Sequence, residues 1–190
     1  QQIFDEWRGS YKNPQRKHIG SKKHKNWDDA ERMHDMQAEG IAGEIIFPNT
    51  VPPFFKTSVL ICGNPSVENY KLWREGIRAH NRWLADWCAE FPDRRAGIGL
   101  VYLNDLDAAL EDVQWIAKHG LRGGVLLPHV PPDCTHIRPL YDPEYDRLWA
   151  LCQDLGVVLN HHGGTGSPDY GAYKVALPIR LVETGWFSTR

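Results

Sequence analysis

A chain of 190 residues with 22 Lys and Arg against 24 Asp and Glu, a formal charge of −2 and 42% apolar residues has the composition of an ordinary globular domain. A nearly neutral chain raises no global field to hold a polyanion, and no apolar run approaches the roughly 20 residues of a membrane-spanning helix, so neither nucleic acid nor membrane is an expected partner. Cys62, Cys88, Cys134 and Cys152 lie far apart without a C-x-x-C pair, which suits the reduced thiols of a cytoplasmic protein better than a disulfide framework or a cysteine zinc site.

The opening, Gln1-Gln2-Ile3-Phe4-Asp5, carries neither a signal peptide nor an initiator methionine and reads as the interior of a longer chain. Residues 1–26 are polar, with Arg16, Lys17, Lys22, Lys23 and Lys25 close together, and are expected to form a solvated loop. Regular patterning begins at about Trp27. A helix is predicted to Glu39, with Asp28 and Asp29 in its first turn and Gly40 as its stop, and a strand follows over 41–47. The next helix is predicted from Asn64, as N-cap before Pro65, to Pro92, with Tyr70, Trp73, Ile77, His80, Leu84, Trp87 and Phe91 as its buried stripe. A strand over 96–102 leads to a helix over 106–119 with Leu106, Ala109, Val113 and Ile116 on one face, and Gly120 releases a strand over 122–127. Asp142 and Pro143 open a last helix carrying Tyr145, Leu148, Cys152 and Leu155, and Gly156 delivers the strand 157–162.

Strands joined by helical crossovers run parallel, and continuous apolar runs such as Gly124-Val125-Leu126-Leu127 belong to strands covered on both faces. The fold class is therefore α/β. A complete (β/α)8 TIM barrel takes about 250 residues, so four strands in this length amount to half a barrel, with an open doubly wound sheet as the alternative.

In such folds chemistry sits at the carboxyl ends of the strands. The strand Val157-Val158-Leu159-Asn160-His161-His162 turns from apolar to polar at its end, before Gly163-Gly164-Thr165-Gly166. Neighbouring side chains point to opposite faces. If His162 points inward, so does Asn160, and Val157 and Leu159 remain for the helices; the opposite choice presses Asn160 into an apolar layer at roughly 1 to 3 kcal/mol. His162 is therefore the candidate, the competing reading being a histidine satisfied by a backbone carbonyl. The glycines are not a dinucleotide cradle, because Asp169 stands where the last glycine is required. Asn49 and His129 follow the other strand ends through Phe47-Pro48 and Leu127-Pro128, as substrate contacts or as turn residues. The apolar loop 48–63 could cap a pocket or pack against its neighbours. His80 falls in a buried stripe and reads as core, and Cys134-Thr135-His136 has metal-capable atoms without a second pair.

Several stretches together resemble the amidohydrolase-related family that includes aminocarboxymuconate-semialdehyde decarboxylase: Met33 to Ile41, Glu44 to Asn49, Phe91 to Gly99, Gly120 to Val125, Pro139 to Pro143 and Asn160 to Gly164. The resemblance covers about residues 27–190. It implies a distorted eight-stranded barrel, seen here over strands two to five, with one divalent metal ion, commonly zinc. It further implies a metal-dependent hydrolase or a non-oxidative decarboxylase that acts on a small carboxylated substrate through metal-activated water. By the same resemblance His162 takes the place of the metal ligand at the end of strand five, and Trp186 borders the substrate pocket. The family's remaining ligands and its catalytic acid and base have no counterpart in this sequence. The alternative is a non-catalytic half-barrel whose strand edges bind a ligand or pair into a homo-oligomer.

Overall fold

The computed structural model describes residues 28–48, 64–128, 130 and 134–162. The chain divides into two compact units, residues 1–44 and 45–190. The predicted N-terminal loop 1–26, most of the loop 48–63, and Asn49, His129 and Trp186 lie outside the described residues.

In the first unit, helix α1 (Asp29–Ala38) begins where Asp28 accepts a hydrogen bond from the Glu31 backbone N–H at 3.1 Å. It ends in a Schellman arrangement, with Ile41 N–H bonded to Met36 O at 2.8 Å and Gly40 N–H to Gln37 O at 3.2 Å, as a glycine at that position permits. The Arg32 guanidinium grips both carboxylate oxygens of Glu44, Nε reaching them at 2.7 and 2.9 Å.

The strands are β1 (Glu44–Ile46), β2 (Arg95–Leu100), β3 (Gly124–Leu126) and β4 (Leu159–Asn160), side by side in that order in one sheet. The β2–β3 and β3–β4 pairs are parallel. Helices α2 (Tyr70–Ala89), α3 (Leu106–Lys118) and α4 (Asp146–Leu155) make the successive crossovers, the last preceded by a 3-10 turn over Pro143–Tyr145. This is an α/β architecture of the kind that makes part of a TIM barrel. No described helix is long and apolar enough to cross a membrane.

The two faces of the sheet are told apart by β2. A side chain at Gly97 would collide with Leu84, Cys88 and Leu121, and one at Gly99 with Ile116, so odd positions press on the helices with no room for a Cβ. The main core lies there, with Val101, Leu103, Val113, Val125 and Leu148 essentially inaccessible to solvent. Ile98, Leu100, Tyr102 and Leu126 take the opposite face, where Ile77 from α2 joins them.

Helix α2 departs from the predicted span. It starts at Tyr70 because the polar groups of Asn64 and Pro65 are engaged elsewhere: Asn64 Oδ1 accepts from Leu103 N–H at 2.9 Å, and Pro65 O accepts from Asn104 Nδ2 at 2.7 Å. These residues bracket two loops instead of capping a helix. The buried side of α2 keeps Ile77 and Leu84 of the predicted stripe, with Tyr70, Trp73 and Trp87 partly buried against the core, and widens to Asn81, Ala85 and Cys88. Asn81 is buried because its amide stands in for a neighbouring strand: Nδ2 donates to Leu100 O and Oδ1 accepts from Leu100 N–H, both at 2.9 Å. Trp83 is displaced outward, stacked on Trp87 at 5.9 Å, and Trp87 in turn lies beneath the buried Arg95 guanidinium, 3.7 Å from its ring centre.

Helices α2 and α3 are tied through Asp112, which is buried and accepts from Arg74 Nε at 3.0 Å and Arg78 Nε at 2.7 Å. Two cations on one desolvated carboxylate satisfy its lone pairs, the condition under which a buried ion is tolerated.

Candidate functional site at the carboxyl end of the sheet

The register fixes which side chains meet. Leu100 pairs with Leu126, and Leu126 with Asn160, so these three share one face. The strand ends at Asn160, and His161 and His162 follow it in the chain. His162 is half-buried, and His161, although more exposed, loses enough hydration for its pKa to fall below the ordinary histidine value. The expected packing of Val157 holds, since it adjoins the main core; Leu159 instead stays 40% exposed, because β4 is the edge of the sheet among the described residues.

Asn160 is held firmly. Its Nδ2 donates to Gly123 O at 2.8 Å and Val125 O at 3.2 Å, which clamps β4 onto β3 just before the histidines. The clamp is possible because Gly124, at φ +86°, brings the two backbones together: a Cβ there would stand 2.0 Å from Val158 O. The desolvation that an inward Asn160 would cost is thus offset by two carbonyl partners.

The other part of the site comes from β1. Ile46 packs on the helix side, so Phe47 follows on the opposite face, and its ring meets the His162 imidazole edge-on at 6.2 Å between centres and 67° between planes. Contact between residues that follow the first and fourth strands requires both rings to lean over the carboxyl ends of the strands between them. Tyr102, at the end of β2, belongs to the same face and is 6% exposed. The result is an imidazole at a strand end beside an aromatic wall, with apolar side chains beneath.

The rim above this face is tied together by side chains that the sequence pattern did not single out. Besides the Asn64 and Asn104 bonds, His136 Nε2 donates to Pro65 O at 3.0 Å, so the loops after β2 and β3 and the segment entering α2 share one bracket. Asparagine and histidine in polar loops are the residue types that make such links, but nothing in their spacing names the partner.

A catalytic zinc takes about three protein ligands and an open position. Among the described residues no three His, Cys, Asp or Glu side chains converge. Among these residues His162 offers a single imidazole donor at a strand end.

Comparison with known proteins agrees with the fold. A 2,6-dihydroxybenzoate decarboxylase from Rhizobium superposes with a TM-score of 0.57 at 24% identity, covering 76% of this chain and 42% of that one. A 2,6-dihydroxybenzoate decarboxylase complexed with 2,6-dihydroxybenzoate gives 0.54 at 23% identity over 76% and 42% of the two chains. The chain thus spans less than half the length of the enzymes whose fold it shares. A search of the curated proteins finds no match. The amidohydrolase family profile matches residues 59–187, more than half of the sequence and all of the elements from α2 to the His162 strand. The chain belongs to the amidohydrolase family.

Proposed function

We propose that residues 27–190 supply the strand-two to strand-five portion of a metal-dependent barrel enzyme that removes the carboxylate of a small aromatic or unsaturated acid without oxidation. His162 is one ligand of its divalent ion, for which zinc suits an imidazole donor. The observation that carries this reading is the half-buried imidazole at the carboxyl end of β4, set edge-on to Phe47.

Each residue then has a task. The Asn160 clamp fixes the strand end from which His162 projects, so that its ring is presented to the metal in one orientation. Phe47 gives a planar substrate an apolar surface beside the imidazole and keeps water from that side. Asn49, His129 and Trp186 line the pocket around the substrate. The ion, when bound, supplies Lewis acidity and a polarised water. Loss of carbon dioxide leaves the electron pair of the broken carbon–carbon bond on the substrate, and a proton must reach that carbon. The acid that delivers it comes from outside the described residues.

The test uses the polypeptide that carries this sequence with its native flanks. Divalent ions are quantified, and the protein is incubated with aromatic carboxylic acids, 2,6-dihydroxybenzoate among them, and separately with amides and esters. The reading predicts release of carbon dioxide and loss of both the ion and about 100-fold or more of the turnover in His162→Ala. Retention of metal and turnover by that variant would refute the ligand assignment. Hydrolysis of the amides or esters without carbon dioxide release would make the enzyme a hydrolase, and loss of neither metal nor structure without any turnover would leave the association module as the better account.

A further inference from the structure

Away from His162, a second pair of reactive groups sits on the rim. The Cys134 sulfur lies 3.6 Å from His136 Nδ1, and the opposite nitrogen of the same ring, Nε2, is 3.0 Å from Pro65 O. A carbonyl oxygen can only accept, so Nε2 carries the hydrogen of the neutral ring. That leaves the Nδ1 lone pair facing the thiol, and the Cys134 S–H donates into it. The tautomer is set by a backbone group from a different loop, which is the arrangement of an activated nucleophile: thiol, base, and a third group orienting the base.

The surroundings suit this pairing. Cys134 is partly exposed at the margin of the main core, while Cys88 and Cys152 are buried within it. Among the described residues the Tyr145 phenol also interacts with Cys134, but its hydroxyl donates to Arg138 O at 3.2 Å.

We infer that Cys134 and His136 form a base-activated thiol, a modification site that takes small soft electrophiles, low-molecular-weight disulfides above all. In the reaction the Cys134 proton passes to His136 Nδ1 and the sulfur attacks one sulfur of the disulfide. A new bond forms to Cys134 Sγ, the old sulfur–sulfur bond breaks, and the departing thiolate takes the proton from His136. No electrons are needed beyond those of the disulfide. Because His136 also holds Pro65, a bulky group on Cys134 would strain the bracket that joins the rim loops, and redox state would reach the loops around the site.

This inference does not rest on the proposed decarboxylase activity, and its test reads sulfur chemistry alone. The protein is treated with glutathione disulfide at neutral pH, and modification of each cysteine is followed by peptide mass spectrometry. Cys134 is expected to react at least about tenfold faster in the folded protein than in concentrated urea, since unfolding removes the base. His136→Ala should slow the folded reaction by a similar factor, and free imidazole should restore it. Should Cys134 react no faster folded than unfolded, the thiol is an ordinary one and the inference fails; that comparison uses the unaltered chain and holds even where the variant does not fold. A variant that folds and reacts at the wild-type rate, or whose slow reaction imidazole does not rescue, overturns it equally.

Discussion

Replacing Gly124 by alanine tests the close approach on which the site depends. Two costs arise together. A left-handed backbone strains any residue with a Cβ by about 1 to 2 kcal/mol. The added carbon would also stand 2.0 Å from Val158 O, and since the obstacle is backbone, β3 and β4 must part. Parting stretches the Val125 N–H to Val158 O bond of 2.9 Å and weakens the Asn160 clamp at Gly123 O, at about 1 kcal/mol each. The sum is about 3 to 4 kcal/mol, or about 10 °C in melting temperature for a chain of this size. Gly120→Ala is the control. Its φ of +74° carries the same backbone strain, but nothing lies within 4 Å of its Cβ, so it should lose only about 1 to 2 kcal/mol, or about 4 °C. Calorimetry with urea titration at matched pH separates the two effects. Equal losses for the two variants would mean that steric exclusion at Val158 contributes nothing and that the β3–β4 approach is not what holds the His162 strand end.

Two further perturbations probe α2. Asn81→Leu keeps the volume but strands the buried N–H and C=O of Leu100, and should cost about 4 kcal/mol by urea denaturation; a loss below about 1 kcal/mol would show that water or another group replaces the amide. Burial pushes the His80 imidazole down to about 4, opposed only by the neighbouring Asn81 side chain, and among the described residues its Nδ1 has no hydrogen-bond partner. The unfolded chain, with a histidine near its ordinary value, binds the proton first as pH falls. His80 therefore contributes stability that is complete above about pH 6.5 and is lost on acidification toward pH 4, by about 3 kcal/mol in all. His80→Gln should flatten the stability profile over that window; an unchanged slope would place the acid sensitivity elsewhere.

The alternation of helix and strand, and with it the parallel α/β sheet, was legible because three of the four described helices carry a glycine stop. Gly40, Gly120 and Gly156 all close helices with positive φ, as their positions after apolar runs suggested. For His162 the sequence leaves only two facings, by a period of two, and Asn160 makes one of them costly. The start of α2 was not legible. Asn64-Pro65 is a good helix opening in isolation, but Leu103 and Asn104, some 39 residues away, supply partners that local propensity cannot weigh. The widening of the buried face of α2 to Asn81 has the same origin, since an asparagine at the centre of a buried side is intelligible only once Leu100 is seen to need it. Phe47 likewise reads as one more apolar residue ending a strand until the fourth strand brings His162 to it.

The Asn81 amide also acts as a stop on strand register. Both polar groups of Leu100 point away from β3, toward the side where β1 lies, and Asn81 occupies both. A strand sliding along that edge by one side-chain repeat would have to displace the amide and bury two unpaired groups before gaining any bond. Backbone pairing on that side of β2 therefore ends below Leu100, for the chain's own first strand and for any foreign one.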